Sequence, residues 1–184
     1  TGEITLTATA SNRPLITAND DDAGEVHQGE THTINVLAND SNPFPGEPRD
    51  LLFANVETGV AEVSVAGEAI TFTPGADYVG RLSIAYTVVD VTGDPNRQVQ
   101  ARVSAAVLGA PETPAPPRVE SVGNAQAQLT WSPPIDNGSP ITGYRVESGG
   151  ITQDCASTTC TISGLTNGTV YNFTVTAINA VGES

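Results

Sequence analysis

Short runs in which apolar and polar residues alternate recur about every 8–12 residues, a spacing typical of β-sandwiches. Successive side chains of a β-strand point to opposite faces, so each run predicts a strand with one buried face. No run follows the 3.6-residue period of an amphipathic helix. We therefore predict an all-β protein. The predicted strands are EITLTATA (3–10), THTINVLA (31–38), LLFANVE (51–57), AEVSVAG (61–67), AITFTPG (69–75), LSIAYTVVD (82–90), RQVQARVSAAV (97–107), AQLTWS (127–132), TGYRVESG (142–149), CTISGL (160–165) and VYNFTVTAI (170–178).

Two breaks in this pattern divide the chain. The segment GAPETPAPPRV (109–119) contains four prolines, which cannot donate to a β-ladder and favour a semi-rigid polyproline conformation. A second break, SNRPLITANDDDAG (11–24), combines a proline with an acidic run. We predict a first strand or extension at 1–16, a sandwich at 17–108, a linker at 109–115 and a second sandwich at 116–184.

Charge excludes some classes of partner. The chain has 21 acidic residues, 7 arginines and no lysine, for a net charge of −14. Such a chain repels nucleic acid and anionic membranes, so we expect no nucleic-acid partner. No stretch reaches the roughly 18 apolar residues that span a bilayer, so we expect no membrane insertion of this segment.

Four residues separate the two cysteines, Cys155 and Cys160, in QDCASTTCTI, and strand-forming residues flank them. They lack nearby histidines that would complete a zinc site. A disulfide that closes a local hairpin and two free thiols are the alternatives, and we expect the disulfide. A persistent disulfide indicates an oxidising environment, so we predict a secreted or cell-surface location.

The second sandwich carries several recognisable residues. Trp131 alternates with Leu129 in a strand and is expected to point inward. Leu165 and Tyr171 have the spacing of a tyrosine corner, in which the tyrosine hydroxyl bonds to upstream backbone. These residues, together with PITGYRV around Tyr144 and the string TAINAVGES, resemble the fibronectin type III domain. The resemblance implies a core built on Trp131, Tyr144, Leu165 and Tyr171. It also implies that the family's last strand is absent from 116–184.

The first sandwich contains the strings ANDD, VLAND, ITFTP and YTVVD. Their order resembles bacterial Ig-like, cadherin-like repeats, which occur in tandem arrays on secreted and surface proteins. The resemblance implies a seven-strand Greek-key sandwich and, with the second module, two immunoglobulin-like β-sandwiches in tandem joined by a proline-rich linker. By the same resemblance, the strand at 3–10 is the last strand of a preceding repeat.

Acidic residues at the predicted strand ends form the one candidate cation site. Calcium prefers six to eight oxygen ligands from carboxylates, amides and carbonyls on flexible loops. A solvated acidic loop in which Asp side chains cap turns is the alternative. The candidate calcium ligands are Asp20, Asp21, Asp22, Asp40 and Asp90.

No arrangement of nucleophile, base and orienting group stands out, so we predict no catalytic residues and no enzyme. The expected function is that of a non-catalytic spacer in a large extracellular bacterial protein, whose partners are the neighbouring domains of the same polypeptide. The alternative is an adhesion or ligand-binding module for a protein or a glycan, accessory to a secreted glycoside hydrolase in one version. We expect no cofactor other than calcium.

Overall fold

The computed structural model describes residues 11–184. Within this range the chain is built of β-strands and one short 3-10 helix, Pro95–Arg97, which confirms the all-β fold class. The strand predicted at 3–10 lies outside the described residues. Contacts divide the chain into two units, and the division falls between Ala106 and Val107.

The first unit is a sandwich of a four-stranded and a three-stranded sheet. Its sheets have the strand orders β1-β7-β6-β3 and β2-β5-β4. The pairs β3–β6, β2–β5 and β4–β5 are antiparallel. The strands are β1 (Asp21–His27), β2 (His32–Asn35), β3 (Arg49–Thr58), β4 (Ala61–Ala66), β5 (Ala69–Pro74), β6 (Gly80–Asp90) and β7 (Val99–Leu108).

The core of this unit follows the alternation in the sequence. Ile70 and Phe72 of β5 are buried, and the intervening threonines are only partly covered. Strand β6 buries its inward row completely. Burial of each large aliphatic or aromatic side chain contributes about 1.5–3 kcal/mol, so these two strands supply much of the stability. The inward row of β6 is Leu82, Ile84, Tyr86, Val88 and Asp90.

Strand β6 differs from the expectation of a single buried face, because its outward residues Thr87 and Val89 are each 2% exposed. The strand lies in the middle of its sheet, between β7 and β3. Arg102 of β7 and Glu57 of β3 form an ion pair across β6 at the level of Ser83, with 2.7 Å between guanidinium and carboxylate. Thr87 and Val89 lie farther along β6, where the strand is flanked on both sides and little of their surface remains exposed.

The second unit is a smaller sandwich of two three-stranded antiparallel sheets, with the orders β11-β10-β13 and β12-β9-β8. Residues from both sheets meet in one core around Leu129, Trp131 and Val146. Beyond β13, Ile178 bridges Glu183, and the Ser184 N–H donates to the Ala177 carbonyl. The strands are β8 (Arg118–Gly123), β9 (Gln126–Thr130), β10 (Gly143–Ser148), β11 (Ile151–Cys155), β12 (Thr159–Ser163) and β13 (Thr174–Ile178).

Three strands were not among the predicted ones: β1, β8 and β11. Each lies at the edge of its sheet. All six residues of β8 are exposed, and β1 begins with two aspartates and contains a glycine. An edge strand is held by backbone pairing with its neighbour, so it does not need a continuous apolar face. Alternation therefore did not reveal these strands.

Candidate functional site

A buried tyrosine organises the acidic residues at one pole of the first unit. Tyr86 is fully buried on β6, and its hydroxyl lies 2.8 Å from the Asp21 carboxylate. The carbonyl oxygens of Asn19 and Val36 lie 3.1 Å from the same hydroxyl. A hydroxyl donates one hydrogen, so three acceptors surround a single proton. The site is therefore rich in oxygen atoms and poor in donors.

Asp20 and Asp40 complete this pole. The Asp40 Oδ1 accepts the Asn19 N–H at 2.8 Å, while its Oδ2 is buried and has no donor among the described residues. The Asp20 Oδ1 accepts the Arg102 N–H at 2.9 Å. Asn39 donates to the Asp21 carboxylate at 3.1 Å. These contacts fix the start of β1 against β7 and against the first residues of the segment that follows β2.

Burial acts on the pKa of both inner carboxylates, and repulsion from neighbouring carboxylates acts on that of Asp21. Burial raises the pKa of Asp21, and the charges of Asp40 and Asp20 raise it further, against the lowering effect of the Tyr86 hydroxyl. Burial also raises the pKa of Asp40, although the Asn19 N–H and the charge of Arg49 lower it. Burial and the neighbouring carboxylates raise the pKa of Tyr86 as well. The pole therefore favours protonated groups or an added cation.

The other two candidate ligands lie in different surroundings. Asp22 is exposed, and its Oδ1 accepts the Gly24 N–H at 2.9 Å, as in a simple turn. Asp90 is fully buried, and Arg97 contacts its Oδ2 through Nε at 2.7 Å and Nη2 at 2.6 Å. The Thr92 N–H and hydroxyl donate to the other carboxylate oxygen. The two oxygens of Asp90 are thus already occupied by protein donors.

Burial alone would raise the pKa of Asp90. The hydrogen bonds from Arg97 and Thr92, together with the guanidinium charge, outweigh burial and hold the pKa of this carboxyl below its usual range. Asp90 is therefore a charged partner of Arg97 inside the fold, seven residues away along the chain.

No group of three or more His, Cys, Asp or Glu side chains in residues 11–184 is arranged to hold a metal ion. Of the five candidate ligands, the fold brings Asp20, Asp21 and Asp40 to one pole, where the carbonyls of Asn19 and Val36 add oxygen atoms. Calcium binding stays a prediction for this pole.

Trp131 and Tyr144 form the aromatic centre of the second unit. They are 7% and 5% exposed, and their rings meet edge to face with centroids 5.4 Å apart. Trp131 is the one tryptophan of the sequence. Because it is buried, its ring is not available on the surface for a ligand to stack on.

A disulfide joins Cys155 at the end of β11 to Cys160 in β12. These strands belong to different sheets, so the bond fastens one sheet to the other at that edge. Cys155 is 6% exposed and belongs to the core.

The hydroxyl of Tyr171 accepts the Thr166 N–H at 2.9 Å, which is the contact expected of a tyrosine corner. Leu165 packs against the core from the same loop. The ring of Tyr171 stacks on Phe173 with centroids 6.0 Å apart. These contacts hold the segment that precedes β13.

A shallow groove of about 220 Å³ runs beside these rings. Val119 and Val122 of β8 form one wall and are 57% and 79% exposed. Tyr171 and Phe173 form part of the opposite side, and the loop 166–169 supplies amide and hydroxyl groups. The lining contains no charged residue, in contrast to the acidic surface elsewhere.

The described residues form two sandwiches whose interiors are filled by side chains and whose turns are held by hydrogen bonds, with no deep cleft among them. These features define a class of protein, the tandem β-sandwich modules. The chain belongs to the bacterial Ig domain family over residues 11–104, and residues 111–184 match the fibronectin type III domain. Both matches confirm the resemblances drawn from the sequence. Domains of these two kinds are generally non-catalytic structural or adhesion modules.

Several curated proteins are similar over part of the chain. Chitinase A1 of Niallia circulans is 34% identical over 105 residues, which are 51% of this chain and 15% of that protein. The fast-type myosin-binding protein C of Gallus gallus is 30% identical over 160 residues, covering 77% of this chain and 14% of that protein. The chain thus spans about one seventh of the length of these two relatives.

A solved structure of titin domains A168–A170 is 22% identical, with a TM-score of 0.49, and covers 88% of this chain and 57% of that chain. Within residues 11–184, no helix has the length and apolarity needed to cross a membrane.

Proposed function

We propose that this chain is a non-catalytic spacer within a large extracellular bacterial protein, where it holds other domains apart. The observation that carries the proposal is how each unit uses its polar groups. The buried Arg97 and Asp90 satisfy each other, and the buried Asn179 is saturated by backbone partners. These buried polar side chains hold turns and strands together, so they are not available as catalytic groups.

An extracellular location is supported by the disulfide together with the two domain families. Disulfides persist in oxidising compartments and are rare in the cytosol. Alkylation of the native protein followed by mass spectrometry tests this part. The proposal expects no alkylated cysteine before reduction and two after it, and two reactive thiols before reduction would contradict it.

The spacer function is tested by replacement. In the natural polypeptide, the 184 residues are exchanged for two unrelated β-sandwich domains of similar length. A spacer predicts that the exchange preserves the activity of the parent protein, while a plain deletion lowers it. An exchange that abolishes activity as fully as the deletion would contradict the spacer function.

A second candidate function is adhesion to a protein partner or a glycan. The uncharged groove between Val119, Val122 and Tyr171 favours it, since exposed apolar patches often mark contact surfaces. The relative from Niallia circulans is a chitinase, which adds a soluble glycan such as a chitin oligosaccharide to the ligands worth testing. Saturable binding that is lost in Val122→Glu and kept in the exposed control Val60→Glu would support adhesion over the spacer.

Calcium is proposed as a stiffening ion for either function, on the basis of the oxygen-rich pole around Asp21 and Asp40. A site saturated at a hundredfold excess over its Kd stabilises the fold by about 2.7 kcal/mol. Thermal melts with EDTA and with millimolar calcium should therefore differ, and the difference should vanish in Asp21→Asn. Identical melting temperatures in the two conditions would reject the ion.

A further inference from the structure

The segment that leads into the first module is held by a buried side chain. Arg97 donates through Nη1 to the Arg13 carbonyl at 2.9 Å and through Nη2 to the Pro14 carbonyl at 2.6 Å. Arg97 is 5% exposed and lies in the turn between β6 and β7. Asp90 balances the charge of Arg97 and orients its planar guanidinium group toward the segment.

The loop between β2 and β3 closes the other side of the same segment. The Arg13 guanidinium donates to the Pro43 carbonyl at 2.6 Å. The guanidinium carbons of Arg13 and Arg97 lie 5.0 Å and 5.6 Å from the ring centroid of Phe44. Both distances are within the range of a cation–π contact. Residues 13–14 are thus hydrogen-bonded on one side to the turn between β6 and β7 and on the other to the loop between β2 and β3.

The second module repeats this arrangement with different residues. Asn179, in the turn after β13, is 6% exposed, and its Nδ2 lies 2.8 Å from the Gly109 carbonyl. The same amide lies 3.1 Å from the carbonyls of Asp136 and Ser139, in the loop between β9 and β10. Its Oδ1 accepts the N–H groups of Val181 and Gly182 at 2.9 Å. One side chain therefore ties the turn, the loop and the incoming segment together.

The loop between β9 and β10 adds three more bonds to the incoming segment. Asn137 donates to the Ala110 carbonyl at 2.6 Å, and its own carbonyl accepts the Gly109 N–H at 2.9 Å. The Glu112 N–H donates to the Ile135 carbonyl at 2.9 Å. The sequence predicts a spacer at 109–115 that owes its stiffness to proline, and the structure adds this set of hydrogen bonds.

We infer that the segment entering each module is a fixed strap, pinned by a buried donor in the module's last turn, Arg97 in the first and Asn179 in the second. The inference rests on the proposed spacer function, because a spacer keeps its domains in position only if the connecting segments do not swivel. Arg97 and Asn179 both act on backbone carbonyls of the strap, so this part of the hold does not depend on the side chains of the strap. Pro14 and Pro111 restrict the remaining torsions of the two straps.

Amide exchange measured by NMR on the full 184-residue chain tests the inference. Arg97→Lys keeps the charge beside Asp90 but loses the planar fork that reaches two carbonyls at once. Asn179→Asp keeps the oxygen that accepts the Val181 and Gly182 N–H groups and removes the Nδ2 donor to the Gly109 carbonyl. Asn137→Gly removes a second donor, to Ala110, and tolerates the positive φ of 54° at this position. The matched controls are Arg102→Lys on an exposed ion pair and Asn172→Ala at an exposed position.

The expected result is faster exchange confined to the straps. In Arg97→Lys the Thr17 amide, which donates to Ser41 just beyond the strap, should exchange about tenfold faster. In Asn179→Asp, and to a smaller extent in Asn137→Gly, the Gly109 and Glu112 amides should do so, while amides of β6 and β10 and both controls stay unchanged. Asn179→Asp decides the question for the second module, and Asn137→Gly tests the same strap if Asn179→Asp does not fold.

Unchanged exchange in a folded variant would overturn the inference for its module, and wild-type straps that exchange like unstructured chain would overturn it for both. The measurement involves no ligand. Discovery of a ligand for the chain would therefore contradict the spacer function without contradicting the fixed straps. Mobile straps would contradict the inference about the straps without identifying a ligand.

Discussion

At the scale of single residues, buried charge occurs where a turn must be fastened to the body of a sandwich. Asp90 ends the inward row of β6, and the chain then turns sharply before β7. Arg97, in that turn, neutralises the charge of Asp90, and its guanidinium also donates to the backbone carbonyls of Arg13 and Pro14. A buried ion pair of this kind adds little net stability, but breaking it leaves an uncompensated charge.

We predict that Arg97→Gln destabilises the first module by about 3–5 kcal/mol, because the buried Asp90 then keeps only its Thr92 partner. Urea unfolding followed by NMR resonances of β5 and β6 measures this loss. The exposed pair of Arg102 and Glu57 provides the control, since Arg102→Gln should cost far less. Equal losses in the two variants would show that burial of the Arg97 pair is not what matters.

The acidic pole predicts a pH dependence of the opposite sign to that of Asp90. The folded-state pKa values of Asp21 and Asp40 are raised, so stability from these groups increases as pH falls from neutral toward about 4. The pKa of Asp90 is lowered, so its contribution is complete above about 4 and is lost as pH falls further through the folded pKa.

Asp40→Asn removes a charge that repels Asp21 and keeps an oxygen to accept the Asn19 N–H. We expect a higher melting temperature than wild type for the first module at pH 7, with a gap that closes near pH 4. The exposed Asp22→Asn is the control and should show no such gap. A gap that widens on acidification would contradict the raised pKa of Asp40.

At the scale of strands, every central strand was predictable, and the three strands that were missed, β1, β8 and β11, all lie at the edge of a sheet. Strands β5 and β6 alternate in sequence because every second side chain fills the core, so their side chains carry the signal, even though β6 also buries Thr87 and Val89 on its other face. The sequences DDAGEVH, RVESVG and ITQDC form β1, β8 and β11 mainly through backbone bonds to a neighbour. Those bonds leave no mark on the pattern of side chains.

The contacts of Arg97 and Asn179 escaped sequence reasoning for a related reason. Their partners are carbonyl oxygens as far as 84 and 70 residues away along the chain, and every residue has a carbonyl. The sequence shows only an arginine in VTGDPNR and an asparagine in TAINAVGES. The alternation of apolar and polar residues gives neither of them a predicted partner. Only the fold shows which carbonyls face them.

The disulfide between β11 and β12 allows a prediction at this scale. The closed loop is short, so replacement of both cysteines by alanine should cost about 2 kcal/mol. For a domain of this size the melting temperature should fall by roughly 10 °C. The first module has no cysteine and serves as the internal control, so its transition should not move. An unchanged second transition would show that the bond adds nothing to the fold.

At the scale of the whole molecule, each unit is stabilised by its own core. The first core centres on β5 and β6, and the second on Leu129, Trp131 and the strands around them. The sequence predicted both bodies, since the two alternating regions are separated by a proline-rich segment. It could not identify a ligand, because the residues that form the groove, such as Val119 and Val122, are ordinary strand residues until the fold places them together.

Single-molecule pulling on the 184-residue chain with optical tweezers tests the central claim, that the chain consists of two self-contained sandwiches that bear load in series. We predict two separate unfolding steps, which lengthen the chain by about 280 Å and about 200 Å after the folded span of each module and the disulfide-closed loop are subtracted. Arg97→Gln should lower the force of the longer step alone, and loss of the disulfide should lower the force of the shorter step alone. A single step of the combined length, or one variant that weakens both steps equally, would contradict the account.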